Sequence, residues 1–216
     1  MKSNLKAVIF DMDGVLIDSM PNHIDAWKKI FAEEKINLTS EEIALNEGRS
    51  SKATVELFLK ESDRKLTVQE IDVLDNKKKE YTKNFKIVAY KGVKEFIEEL
   101  RKQGLKTAIV TGSIREFTNK VVKDQFKDLF DVIVTSNVVS HGKPHPAPYL
   151  KSVELLKLKK EECLVIENAP LGIESAKGAG LKVYAIETTL DRKYLERADM
   201  VFKNHEDLIK YVLNQI

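Results

Sequence analysis

The stretch "KAVIFDMDGVLIDS", residues 6–19, decides how the rest of the chain is read. It opens with consecutive apolar residues, Ala7 to Phe10, as in strands covered on both faces. Asp11 and Asp13 follow one residue apart, where two carboxylates resist joint ionisation. Gly14 then allows a tight turn that can offer N–H groups to an anion. Such a strand carries its chemistry at the carboxyl edge of a sheet, where open parallel α/β folds bind ligands.

Similar apolar runs recur outward from this one: "KTAIVT" (106–111), "DVIVTS" (131–136), "CLVIE" (163–167), "KVYAIE" (182–187) and "MVF" (200–202). Amphipathic segments lie between them. Val93, Phe96, Ile97 and Leu100 form a helical stripe that Gly104 can end. Ser113 and Glu116 have capping-box spacing, and Asn168 ahead of Pro170 reads as a helix N-cap. This alternation predicts an α/β protein with a doubly wound parallel-sheet, Rossmann-like core. Residues 21–86 break the rhythm: they hold no convincing strand, and helix starts stand at Thr39 and Thr67, each with a glutamate three residues on. We read an inserted helical cap, residues 17–87, within a core made of residues 1–16 and 88–216.

Composition narrows the functional classes. In 216 residues, 36 Lys and Arg nearly balance 34 Asp and Glu, so the net charge of +2 gives no reason to expect nucleic acid or an anionic membrane as partner. A lone Cys163 excludes an internal disulfide and a cysteine cluster for zinc. No apolar stretch approaches the ~20 residues of a membrane span, and the N-terminus does not read as a signal peptide. A cytoplasmic monomer is the expectation.

Polar residues cluster at the strand ends. Asp11 ends the first run, Thr111 the second, Glu167 and Asn168 the fourth, and Lys143 lies in the loop after the third. Oxygen donors without His or Cys partners suit Mg²⁺, which would also make the closeness of Asp11 and Asp13 tolerable. Lys143 adds positive charge and Thr111 a hydroxyl donor, and phosphoryl transfer needs mainly positioning and charge neutralisation.

"DMDGVLIDS", "VTGS", "GKPHPAPYL" and "VIENAPLGIESAKGAG", in this order, resemble the four motifs of the haloacid dehalogenase-like hydrolases, in the branch that holds β-phosphoglucomutase and small-metabolite phosphatases. The resemblance covers the whole chain. It implies that Asp11 is the nucleophile, forming an aspartyl-phosphate, and that Asp13 is the general acid and base. It implies that Thr111 and Lys143 hold the phosphoryl group, and that Asp11, Asp13, Glu167 and Asn168 bind Mg²⁺. Gly14, Gly112 and Ser113 would face the phosphate, with His23, Arg49, Lys52 and Lys77 as candidate substrate contacts from the cap. Two departures matter. Asn168 stands where the family commonly has an acid, which weakens the pull on a cation. Arg49 is two residues early for the arginine of the mutases, and Ser51 holds the matching position. The leading expectation is therefore a Mg²⁺-dependent phosphatase of a small phosphorylated metabolite. A hexose phosphomutase is the runner-up, and a non-catalytic ligand-binding relative, suggested by Asn168, is third.

Overall fold

The computed structural model describes residues 4–60, 67–83 and 85–216. Six strands form one sheet: β1 (Ala7–Phe10), β2 (Lys106–Val110), β3 (Val132–Val134), β4 (Cys163–Glu167), β5 (Lys182–Ile186) and β6 (Met200–Phe202). All pairings are parallel, in the order β3-β2-β1-β4-β5-β6. The chain winds outward from β1 through β2 to β3, then crosses to β4 on the other side of β1. The crevice beyond β1 and β4 is thus the topological switch point, the usual ligand position in such sheets. Phe10 pairs with Ile166 there, and the Asp11 N–H donates to the Ile166 carbonyl at 2.9 Å.

Between β1 and β2 the chain forms four helices: α1 (Met20–Glu33), α2 (Ser40–Leu45), α3 (Ser51–Lys60) and α4 (Val68–Lys83). The core then adds α5 (Val93–Lys102), α6 (Arg115–Val121), α7 (Ala147–Leu156), α8 (Pro170–Gly178) and α9 (His205–Leu213). Val8 and Phe10 pack among side chains of α5, α6 and α9, while Ala7 and Ile9 pack among those of α7 and α8. With both faces covered, apolar residues are favoured at successive strand positions, which explains the unbroken runs. Among the described residues no helix is long and apolar enough to cross a membrane.

Helices α1–α4 have a hydrophobic cluster of their own, centred on Trp27, Phe31, Phe58 and Leu74. Thr39 and Glu42 form the expected capping box at α2, and Thr67 and Glu70 exchange the same bonds ahead of α4. The two connections to the core run side by side: Ile17 bridges Ala89, Asp18 N–H donates to Val88 at 2.9 Å, and Tyr90 N–H donates to Leu16 at 3.1 Å. We propose the cap boundary at this crossing. Two expected caps are corrected. Ile114, not Ser113, is the N-cap of α6, and Ala169, not Asn168, that of α8. Both polar side chains turn to other partners in the crevice.

Phe31 is fully buried, its ring 5.5 Å from Trp27 and 5.3 Å from Phe58. Phe31→Ala should destabilise the cap by about 3–5 kcal/mol. Trp27 is the chain's single tryptophan, so its fluorescence reports the cap during urea unfolding. The Trp27 transition should move to lower urea, ahead of the far-UV signal dominated by the core. Coincident transitions in the variant would mean that the cap is not a separate unit.

Candidate active site

Asp11 leaves β1 directly into the crevice and is buried. The Lys143 ammonium, also buried, donates to Asp11 Oδ1 and to Glu167 Oε1, each at 2.6 Å. Burial alone would lower the Lys143 pKa, but the two carboxylates outweigh it and hold it above its ordinary value. Burial pushes the Asp11 carboxyl up, against the opposing pull of Lys143, with Glu167 and Asp13 adding to the rise. Glu167 also accepts from Tyr149 OH at 2.6 Å on Oε1, and from the Asn168 and Ala169 N–H groups at 3.0 and 3.4 Å on Oε2. A Cβ at Gly172 would fall 1.7 Å from Glu167 Oε1, so α8 closes over Glu167 only with glycine there. Both Glu167 oxygens thus hold protein donors. In this arrangement Glu167 anchors Lys143.

Asp13 is enclosed differently. Ser19 Oγ donates to its Oδ1 at 2.6 Å, and His23 Nε2 lies 3.1 Å from the same oxygen. Ser113 Oγ donates to Oδ2 at 2.9 Å, with Thr111 Oγ1 at 3.5 Å. Burial raises the Asp13 pKa, but positive charge on His23 and the hydrogen bonds from His23, Ser19 and Ser113 outweigh it and bring it to about 2. Behind His23, the Lys78 ammonium on α4 sits 2.5 Å from Nδ1. This contact links α4 to Asp13 across the boundary between cap and core. Burial lowers the Lys78 pKa, against the pull of Glu47 and Asp13, to about 8.

Sequence reasoning chose Lys77 and missed Lys78. Lys77 is on the surface, paired with Glu33 at 2.5 Å. The usable signal was helical period. Ile71 and Leu74 define the buried face of α4, and 78 is its next position at i, i+3, i+7. Lys52 is likewise outside the crevice, paired with Asp72 at 2.9 Å. A large groove of about 580 Å³ beside Lys77, lined by Glu33, Val73 and Tyr81, lies away from the carboxylates.

The crevice offers a cation oxygen donors. Asn168 is fully buried; its Nδ2 donates to Thr189 Oγ1 at 3.1 Å, while its Oδ1 has no hydrogen-bond partner among the described residues. An orphaned buried carbonyl oxygen beside a carboxylate suits a hard cation. Asp11, Asp13 and Asn168 therefore fit Mg²⁺. Among the described residues no group of three or more His, Cys, Asp or Glu forms a metal site, so the set depends on the Asn168 carbonyl. Gly14, at φ +84°, is needed here because a Cβ would fall 2.0 Å from Asn168 Nδ2. Its own N–H donates to the Ile17 carbonyl at 2.9 Å, within the turn.

The cap covers the other side. A cavity of about 30 Å³ lies between cap and core, lined by His23, Trp27, Glu47, Arg49, Lys78 and Ser113 among others. Arg49 faces it, with Nε donating to Asn46 Oδ1 at 3.3 Å. Burial raises the Glu47 carboxyl above its ordinary pKa, against the pull of His23 and Lys78. A Cβ at Gly112 would come 2.5 Å from the Gly48 carbonyl oxygen and 2.7 Å from that of Arg49, so the cap loop seats on a bare backbone. Gly112 therefore acts through cap seating in this arrangement.

Gly112→Ala should leave the fold intact and hold the cap loop off the core. We expect phosphate-releasing activity, measured as kcat/KM, to fall at least tenfold with little change in Tm; an unchanged kcat/KM would show that this contact is dispensable. Lys78 gives a stability signature. Its folded pKa of about 8 lies below the ordinary 10.5, so its burial costs stability below pH 8. That cost is released as pH rises from 8 to 10.5, where the unfolded chain binds more protons. Relative to Lys78→Met, the native protein should gain roughly 3 kcal/mol across this window in urea titrations; parallel pH profiles would contradict it.

Comparison with known proteins agrees with this geometry. The family model described as "Haloacid dehalogenase-like hydrolase" matches residues 8–186. Hexitol phosphatase A of Escherichia coli (strain K12) is 30% identical over 203 residues, covering 94% of this chain and 93% of that protein. Pyrophosphatase PpaX of Bacillus mycoides (strain KBAB4) is 41% identical over 127 residues, 56% of this chain and 58% of that one. A solved structure described as "Putative beta-phosphoglucomutase" from Bacteroides vulgatus superposes with TM-score 0.90 at 34% identity, over 99% of this chain and 90% of that one.

Proposed function

We propose that this chain, which belongs to the haloacid dehalogenase-like hydrolases, is a Mg²⁺-dependent phosphatase that hydrolyses a small phosphorylated metabolite through an aspartyl-phosphate on Asp11. The observation that carries the reading is the pairing of Asp11, held by Lys143 at the switch point, with a second, separately enclosed carboxylate at Asp13. A nucleophile and a proton carrier need such different surroundings. Hexitol phosphatase A, similar over nearly its whole length, supports hydrolysis of a phosphate ester.

In this mechanism an Asp11 oxygen attacks phosphorus and the bond to the leaving oxygen breaks. Asp13 delivers a proton to that oxygen, and the alcohol departs. Asp13 then takes a proton from water as its oxygen attacks phosphorus, which breaks the acyl-phosphate, frees phosphate and restores Asp11. With a pKa of about 2, Asp13 is ionised in the unliganded site; an entering phosphate dianion raises its proton affinity. Lys143 and Thr111 hold the phosphoryl oxygens. Mg²⁺, held by Asp11, Asp13 and Asn168, would supply further neutralisation of phosphoryl charge. The 30 Å³ cavity holds about one or two waters, so a substrate enters only with the cap displaced.

A phosphomutase is the second reading, favoured by the likeness to the structure from Bacteroides vulgatus. One assay separates the two: phosphate release from phosphorylated sugars, small metabolites and pyrophosphate, with and without Mg²⁺, beside Asp11→Asn. Mg²⁺-dependent release abolished in the variant is expected. Isomerisation of a hexose phosphate without net phosphate release would replace hydrolysis by the mutase reading, and no turnover in any arm would overturn both. Asn168→Asp adds a charge worth roughly 4 kcal/mol at ~4 Å before desolvation. The Mg²⁺ concentration for half-maximal activity should fall at least tenfold, and an unchanged value would remove Asn168 from the metal set.

A further inference from the structure

The mechanism above leaves one acid in the site unused. Glu47 belongs to the cap loop and lines the cavity that also meets His23 and Ser113, both of which bond to Asp13. A leaving group whose oxygen takes a proton from Asp13 therefore extends toward Glu47. Glu47 is the single carboxylate that lines this cavity among the described residues. The Gly48 N–H bonds to its carboxylate, but no side-chain donor does so among the described residues, which leaves acceptor capacity for a ligand. Two cations share the cavity wall. The Lys78 ammonium is against His23, and Arg49 Nε is on Asn46.

We propose that Glu47 determines specificity in the cap: it accepts hydrogen bonds from hydroxyl groups of the leaving group and repels a second anionic group. The substrates would be phosphomonoesters of neutral, hydroxyl-rich alcohols such as sugars or sugar alcohols, while bisphosphates are turned away. This rests on the phosphatase reading. Apart from the Gly48 N–H, this carboxylate has no donor from the described residues, and a buried acceptor that is only partly satisfied favours a ligand that supplies hydroxyls over one that does not. A phosphate placed beside it meets like charge in a poorly solvated space. Arg49 is the opposing influence, since a guanidinium on the same wall would welcome a distal phosphate.

The test compares a hexitol 6-phosphate with the corresponding 1,6-bisphosphate as substrates of the full-length protein with Mg²⁺. The native enzyme should favour the monophosphate at least tenfold in kcat/KM. Glu47→Lys should lower that ratio at least tenfold. The isosteric Glu47→Gln, which keeps an acceptor oxygen and loses the charge, should fall between. Preference of the native enzyme for the bisphosphate would overturn the proposal and transfer the role to Arg49. A ratio unchanged in Glu47→Gln would also overturn it, and this variant decides if Glu47→Lys does not fold. Failure of the phosphatase reading looks different: the native enzyme would then release no phosphate from either compound or from p-nitrophenyl phosphate.

Discussion

The site is organised around one buried ammonium. Lys143 lies 2.6 Å from both Asp11 and Glu167, so it ties the loop after β3 to the ends of β1 and β4. Removing one partner from such a buried group leaves uncompensated charge, at a cost of about 3–5 kcal/mol. The arrangement is therefore a requirement on the fold as well as on the chemistry. It also explains why Glu167 is so heavily bonded. Tyr149 and two backbone N–H groups satisfy its remaining lone pairs, and Gly172 gives up a side chain to let α8 approach. With Lys143 held in this way, one oxygen of Asp11 is fixed in place.

Asp13 provides the second constraint, because its partners come from both sides of the cap boundary. Ser113 and Thr111 follow β2, Ser19 stands at the entry to the cap, and His23 lies on α1. Lys78 extends the chain of contacts to α4. The environment of Asp13 thus depends on where the cap sits. When the cap loop rests on Gly112, His23 and, behind it, Lys78 stand against Asp13, and its carboxylate is stabilised. A cap displaced to admit substrate would carry Lys78 with it. Substrate entry and the proton affinity of Asp13 are in this way physically linked, without any further moving part.

The errors made from sequence share a cause. Ser113 and Asn168 were read as helix caps because short polar residues next to a helix start usually act locally. In the folded chain a stronger partner was present: an unsatisfied carboxylate for Ser113, and Thr189 for the Asn168 amide. Lys77 was preferred to Lys78 although the apolar spacing of α4 already marked 78 as inward. Lys77 was chosen on the family resemblance, which carries no information about which face of this helix is buried. Lys52 looked suited to an anion but is held on the surface by Asp72, which is 20 positions away. Glu47 attracted no notice, since nothing in its neighbours reveals that it ends up beside His23.

Local sequence was sufficient for the strands, the cap helices and the gathering of polar residues at one sheet edge. Consecutive apolar residues report burial on both faces, and polar residues at strand ends must emerge at one edge of a parallel sheet. That Asp11, Asp13, Thr111 and Lys143 meet in one crevice was legible for that reason. The assignment of partners was not legible. Which carboxylates Lys143 bonds, which lysine reaches His23, and which carboxylate lines the cavity under the cap all turn on contacts between segments distant in sequence. Hydrogen bonds act over about 3 Å, and only the packing of cap on core decides which groups come that close.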